Sequence, residues 1–117
     1  MKTAWIIGLL VLLSAPRVLA QPQSGSDLFE DRCAGCHAPA GGGQGPSLTG
    51  VVGRKAGAVA GFDYSPALKA STIVWTSANL DQFLADPSKM VPGTAMPIHL
   101  PDAAQRASII SYLASGR

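Results

Sequence analysis

Two cysteines and a histidine stand almost side by side in the run Cys33-Ala34-Gly35-Cys36-His37. Two thiols three positions apart on a helical turn lie on the same face. Proteins use such a pair as a redox dithiol, as half of a zinc site, as a structural disulfide after export, or, when histidine follows at once, as the attachment point of c-type haem. In the last case both thiols form thioethers with one porphyrin edge, and the histidine offers an imidazole nitrogen to the iron.

The remaining sequence favours haem over the other three chemistries. The chain has two cysteines and two histidines in all, so a closed zinc site would need His99 as its fourth ligand. A dithiol oxidoreductase requires a βαβ context, whereas the stretch after His37 is rich in glycine and poor in strand-forming residues. A disulfide between Cys33 and Cys36 would staple no distant segments together. We therefore predict one covalently bound haem c, attached to Cys33 and Cys36, with His37 as an axial ligand of its iron.

The N-terminus has the three parts of a secretory signal peptide. Residues 1–3 include a lysine, residues 4–13 are apolar, and a Val-Leu-Ala cleavage site ends at residue 20. The apolar run is too short to span a bilayer comfortably. Because Pro16 and Arg17 are unusual in the polar end of a signal, an uncleaved membrane anchor is the alternative. We expect export to the periplasm.

Cleavage divides the chain into residues 1–20, a signal peptide, and residues 21–117, one small domain. A domain of this size has a thin core and needs a disulfide, a metal or a cofactor to hold together, a role that haem would fill. Two of the nine basic residues lie in the leader, so the domain has seven basic and seven acidic residues and is neutral. We therefore expect no nucleic-acid partner and no stable membrane insertion after cleavage.

Capping signals predict an all-α fold of about four to five short helices wrapped around the haem. The N-terminal caps of four helices are expected at Ser24, Ser65, Thr76 and Asp102. The third helix should stop before Pro87, and residues 88–100 should form a loop. Residues 38–53 are punctuated by glycines and should pack irregularly against a flat ring.

A methionine in a loop rich in proline is the candidate for the second axial ligand. With His37 alone the iron keeps one position open, and a soft thioether there favours the ferrous state. Met96 lies in such a loop, residues 92–97. Met90 is better explained as a filler of the core. His99 is the rival ligand.

The chain resembles the class I c-type cytochromes, which include mitochondrial cytochrome c and the bacterial cytochromes c2. The motifs that carry the resemblance run in the family's order through residues 33–37, 45–50, 53–57 and 61–64, Trp75, and residues 92–96. The resemblance implies a one-electron carrier without enzymatic activity, exchanging electrons with redox partner proteins as a monomer. It also supports Met96 over His99 as the second ligand.

The resemblance further implies roles for residues around the haem. Pro46 should offer its carbonyl to the far nitrogen of His37 and so fix the imidazole. Thr94 should bond near a propionate or in the distal pocket. Three side chains should bind or neutralise the propionates: Arg54, Tyr64 and Trp75. Contact between the first and last helices should involve Gly25, Phe29, Ile109 and Tyr112.

Several positions depart from the family's pattern. Phe83 and Leu68 stand where the family often has a tyrosine and an asparagine, which predicts a drier pocket. Lysines of the family's docking ring are replaced, as at Ser88 and Ala95, so we do not expect docking to a strongly acidic partner by the mitochondrial scheme.

The predicted function is that of a periplasmic one-electron carrier with an unidentified donor and acceptor. One alternative is an electron-accepting subunit of a periplasmic dehydrogenase complex. In another, Met96 ligates weakly and the ferric iron binds peroxide or a gas. We expect poor binding of such molecules, because both axial positions are filled and no acid/base pair is predicted beside the iron.

Overall fold

Five helices form the framework of residues 14–116, the part of the chain that this computed structural model describes. In chain order they are α1 (Gly25–Arg32), α2 (Pro66–Lys69), α3 (Ser77–Ala85), α4 (Pro87–Met90) and α5 (Ala103–Ala114). Extended backbone in this part of the chain pairs only in an isolated bridge between Lys55 and Val74. The predicted all-α class, with four to five short helices, is confirmed.

The predicted leader is described only in part. Its apolar stretch, residues 4–13, lies outside the described residues, and residues 14–20 are exposed and belong to no helix. Within residues 14–116, no helix has the length and apolar character that crossing a membrane requires. The cleavage boundary after residue 20 stays a prediction.

Short-range capping contacts begin the helices where the sequence predicts them. The Ser24 hydroxyl accepts a hydrogen bond from the backbone N–H of Asp27 at 3.1 Å, and the Asp27 carboxylate accepts one from the Ser24 N–H at 3.4 Å. At the starts of α2, α3 and α5, the side-chain oxygens of Ser65, Thr76 and Asp102 accept hydrogen bonds from the backbone N–H groups three residues later. Each cap satisfies an N–H that the first turn of a helix leaves without a partner.

The loop expected over residues 88–100 is partly wrong, because its first residues belong to helix α4. Asp86 ends α3 and also caps α4, since its carboxylate accepts a hydrogen bond from the N–H of Lys89 at 3.1 Å. Pro87 occupies the first position of α4, where its missing N–H costs no hydrogen bond. The same Asp-Pro pair therefore stops one helix and starts the next.

Helices α1 and α5 pack closely against each other. A Cβ atom at Gly25 would collide with the backbone of α5, so glycine permits the close approach. The rings of Phe29 and Tyr112 lie 5.4 Å apart, and Leu28 and Ile109 are each only 1% exposed. The structure thus contains the contact between first and last helices that the resemblance implies. Helix α5 also packs against α3, and together these two helices form one wall of a cavity that opens to solvent.

Candidate haem-binding site

A cavity of about 200 Å³ is lined by side chains from α3, α5 and the segments between the helices. Its apolar wall includes Leu80, Phe83 and Leu84 of α3 and Ile109 and Leu113 of α5. All nine residues predicted for the site line this same cavity: Cys33, Cys36, His37, Pro46, Arg54, Tyr64, Trp75, Thr94 and Met96. The fold therefore brings to one place side chains that are spread over more than half of the chain.

The two cysteines follow the C-terminal end of α1, which places them at the cavity. Cys33 caps its C-terminal end, and its carbonyl accepts hydrogen bonds from the N–H groups of Cys36 at 3.1 Å and His37 at 2.8 Å. This turn keeps the two thiols and the imidazole close together, and the two sulfurs are not joined in a disulfide.

Burial raises the pKa of the Cys33 thiol from 9.0 to about 11, with a smaller contribution from the charge of Cys36. A lowered pKa is what makes a thiolate available near neutral pH. The buried Cys33 thiol is therefore a poor nucleophile.

Two neighbours fix the imidazole of His37. Its Nδ1 lies 2.8 Å from the carbonyl oxygen of Pro46, so Nδ1 carries the proton and donates it, which leaves the Nε2 lone pair free for a metal. Gly45 packs against the ring, and a Cβ atom there would lie 2.6 Å from Nδ1 and 2.9 Å from Nε2. Sequence reasoning missed Gly45, because its role depends on the absence of a side chain rather than on a chemical group.

Arg54 holds the segment that follows Pro46. Its guanidinium donates to the carbonyl oxygens of Ser47 at 2.9 Å and Thr49 at 3.1 Å. Neither of the two ion pairs found among residues 14–116 involves it. Its positive charge is therefore not matched by a carboxylate of the described chain and is available to an anion in the cavity.

Tyr64 and Trp75 are each 7% exposed and line the cavity. Each has a hydrogen-bond donor that is not used within the described chain. The Tyr64 hydroxyl accepts a hydrogen bond from the N–H of Val59 at 3.0 Å, so its own hydrogen can still be donated. The Trp75 ring packs on Phe83, with centroids 5.0 Å apart, and its indole N–H donates to no acceptor among residues 14–116. Each side chain can therefore donate to a carboxylate bound in the cavity.

Of the three side chains weighed as second ligand or filler, only Met96 lines the cavity. It is half-buried and packs against the core, and its N–H lies 3.4 Å from the Thr94 hydroxyl. Met90 packs against the core away from the cavity. His99 is exposed and is not among the lining residues. No group of three or more histidine, cysteine or acidic side chains within residues 14–116 is placed to hold a metal ion, so the zinc site through His99 is not formed there.

Comparison with known proteins decides the family. The model of the Cytochrome c family matches residues 22–117. The chain belongs to the cytochrome c family. It is 44% identical over 94 residues to cytochrome c type-1 of Ascaris suum, an alignment that covers 78% of this chain and 84% of that relative.

Solved cytochromes share its fold. Cytochrome cH from Methylobacterium extorquens aligns with a TM-score of 0.73 and 44% identity, over 78% of this chain and 94% of that one. Ferricytochrome c2 from Rhodopseudomonas palustris aligns with a TM-score of 0.73 and 36% identity, over 80% of this chain and 96% of that one. The resemblance to the class I cytochromes is confirmed.

As a cytochrome c, the protein is an electron carrier that binds a covalent haem c and works with redox partner proteins. The cavity of this cytochrome fits that group. It offers two thiols on one turn, an imidazole with a free Nε2, a thioether, and apolar walls for a flat ring. It also offers one cation and two neutral donors for carboxylates, at Arg54, Tyr64 and Trp75.

Proposed function

We propose that this cytochrome c is a periplasmic one-electron carrier in which His37 and Met96 are the axial ligands of the iron. The observation that carries the proposal is the shared cavity, which gathers the cysteine pair, His37 and Met96 although Met96 lies about 60 positions further along the chain. When bound, the haem supplies one-electron chemistry through the ferrous and ferric states of its iron.

Three residues bind and orient the group on one side. The sulfurs of Cys33 and Cys36 would form the thioether links, which would tether the haem to the turn that follows α1. Nε2 of His37 donates its lone pair, and the 2.8 Å contact between Nδ1 and the Pro46 carbonyl oxygen holds the ring and raises its basicity.

Arg54, Tyr64 and Trp75 stabilise the propionates. A carboxylate taken out of water without partners loses several kcal/mol of solvation, roughly what makes unpaired buried charges rare. The guanidinium of Arg54 supplies charge, and the hydroxyl of Tyr64 and the indole N–H of Trp75 supply hydrogen bonds. We assign Thr94, which lines the same cavity, to a propionate or the distal pocket.

The apolar wall tunes the carrier and protects it from side reactions. Leu68 and Phe83 line the cavity without polar atoms of their own side chains, so a haem bound there would have drier surroundings, which favour the iron state of lower charge. With His37 and Met96 both engaged, no position is left for peroxide or a gas, and we expect no enzymatic activity.

We propose that electrons enter and leave at the edge of the cavity formed by Cys33 and the exposed Met96 segment. Ala95, Pro97 and Ile98 line the cavity and are exposed. This part of the surface is where a redox partner would contact the protein. We expect a monomer that meets its donor and acceptor in turn.

We also propose that residues 1–20 are removed on export, which leaves residues 21–117 as the mature domain. Val18 and Leu19, beside the predicted cleavage site, are 90% and 83% exposed, as access by a signal peptidase requires. Mass spectrometry of the protein purified from a periplasmic extract should give a chain that begins at Gln21. A full-length chain found in the membrane fraction would establish the anchor instead.

The absorption spectrum of the oxidised holoprotein tests the ligation. We expect the weak far-red band of methionine sulfur on ferric iron in the wild type, and its loss in Met96→Ala. Met90→Ala is the matched control, because Met90 packs against the core but does not line the cavity. Its spectrum should keep the band. Haem binding without the band in the wild type would contradict His37/Met96 ligation, and a chain that matures without haem would contradict the whole proposal.

A further inference from the structure

The segment that carries Met96 has little support of its own. Within the described chain, residues 95–99 make no backbone-to-backbone hydrogen bond, and the Met96 N–H has only the 3.4 Å contact with the Thr94 hydroxyl. Four of these five residues are exposed. The position of Met96 therefore depends on how the two ends of the segment are held.

The end that follows Met96 is held by one arginine from α5. Nη1 of Arg106 donates to the carbonyl oxygens of Leu100 at 2.8 Å and Pro101 at 2.9 Å. The N–H of Leu100 donates in turn to the carbonyl oxygen of Leu84 in α3 at 2.8 Å. Leu100 itself is 4% exposed, so the segment enters the core at this residue.

Arg106 is fixed by a second contact of its own. Its Nε donates to Oδ1 of Asp81 in α3 at 2.8 Å, and its side chain is only 12% exposed, against 46% for Asp81. A planar guanidinium held at one nitrogen presents its other nitrogens in a fixed direction. Asp81 thus aims Arg106 at the two carbonyl oxygens, and one side chain joins α3, α5 and the end of the Met96 segment.

We propose that Arg106 is a positioning residue for Met96, which keeps the thioether in the cavity by holding the segment closed at residues 100–101. This inference rests on the proposed ligation by Met96. Opening of the segment would expose the cavity to other ligands, so Arg106 sets how readily the thioether is exchanged. Charge-assisted hydrogen bonds with little solvent access shift the equilibrium between the closed and the open segment by about tenfold or more.

Binding of free imidazole to the ferric holoprotein at pH 7 tests the inference, because imidazole must displace the thioether. In Arg106→Leu, which keeps an apolar stem but makes none of the three contacts, we expect the binding rate at subsaturating imidazole to rise at least tenfold. Asp81→Asn keeps the donors to residues 100–101 but loses the ion pair, and a rise of about threefold is expected. Arg106→Lys should lie between the wild type and Arg106→Leu.

Phe29→Leu is the control for a general loss of stability, because Phe29 packs between α1 and α5 and does not line the haem cavity. It should lower the Tm while the imidazole rate stays within twofold of the wild type. An Arg106→Leu rate that also stays within twofold, or a Phe29→Leu rate that rises as much as that of Arg106→Leu, would overturn the proposal.

Hydrogen exchange of the Leu100 amide gives a readout that does not depend on the iron. We expect this amide to exchange at least tenfold faster in Arg106→Leu than in the wild type, and unchanged protection would count against Arg106 as the anchor. If the wild type lacks the far-red band, the proposed ligation fails separately, and the exchange of Leu100 still decides whether Arg106 holds the segment.

Discussion

The cavity holds the two proposed axial ligands, His37 and Met96, in different ways. On the His37 side the candidate ligand follows Cys36 directly, its Nδ1 lies 2.8 Å from the Pro46 carbonyl oxygen, and its ring packs against Gly45. All of these residues lie within 14 positions of Cys33. On the other side Met96 lies in a largely exposed segment that is held at Thr94, whose N–H donates to the Val91 carbonyl oxygen at 3.0 Å, and at Leu100, whose N–H donates to the Leu84 carbonyl oxygen at 2.8 Å.

This difference indicates which of the two proposed ligands can be displaced from the iron more easily. Local contacts over a short stretch of chain reform easily after any fluctuation, since little chain entropy is lost when they close. The Met96 side depends on contacts between residues far apart in sequence, such as Arg106 and Asp81. Under the proposed ligation, His37 would be the permanent ligand and Met96 the exchangeable one.

The largest effect on stability should come from removal of the haem, which would lie between His37 and Met96. An empty cavity of about 200 Å³ destabilises a protein by about 5 kcal/mol at ~24 cal/mol per Å³, which is comparable with the whole stability of a small domain. The double variant Cys33→Ala/Cys36→Ala, purified free of haem, should therefore lose its helical far-UV circular dichroism and its cooperative unfolding transition. Cys33→Ala alone keeps one thioether link and should stay folded. A haem-free chain that unfolds cooperatively with full helix content would show that the protein core alone fixes the two sides.

A smaller effect should follow when the His37 side is disturbed directly. The added methyl group of Gly45→Ala would overlap the imidazole ring, and overpacking of this kind costs about 1–3 kcal/mol. Gly35→Ala is the matched control, because no atom lies within 4 Å of a Cβ placed there. Its change in the free energy of unfolding should stay within about 0.5 kcal/mol. Guanidinium chloride denaturation of the two holoproteins measures the difference, and equal stabilities would mean that the ring yields to the methyl group.

The charge of the His37 side should appear in the midpoint potential. Arg54, which holds Ser47 and Thr49, makes addition of an electron more favourable through its positive charge. Arg54→Leu should lower the midpoint by on the order of 50 mV, which is about 1 kcal/mol for a charge near a partly buried site. Lys69→Ala removes an exposed cation already paired with Asp63 at 3.0 Å, and it should shift the potential much less. Equal shifts in a redox titration would mean that only the net charge matters.

Much of the fold could be predicted because its signals are local. The caps at Ser24 and Thr76 act on residues three positions away, so the sequence displays both partners together. Helix α4 was missed for a related reason. Asp86-Pro87 is a stop signal and a start signal at once, and the sequence does not show that both are used.

The residues of the candidate site also differ in whether their roles are visible in the sequence. Cysteine, histidine and methionine can be recognised as candidate ligands from their residue types. The resemblance to a known family added further candidates, such as Arg54 and Trp75. All of these residues line one cavity. Their roles toward the haem stay predictions. Gly45 acts through a missing side chain, and Arg106 is oriented by Asp81, which is 25 positions away. Neither role can be recognised from residue types alone, because each depends on the folded geometry.

The smallest effect on the free energy of unfolding should come from a substitution in the Met96 segment itself, because its exposed residues contribute little to stability. Ile98 is 45% exposed, whereas Ile109 in α5 is 1% exposed. Removal of one methyl group from a buried isoleucine costs about 0.5–1.5 kcal/mol, so Ile109→Val should lower the free energy of unfolding by that amount and Ile98→Val by less than about 0.3 kcal/mol. The two substitutions are chemically identical, so denaturant unfolding compares the two environments directly. A cost for Ile98→Val as large as that for Ile109→Val would mean that the segment is packed as firmly as the core, and the exchangeable side would then have to be sought elsewhere.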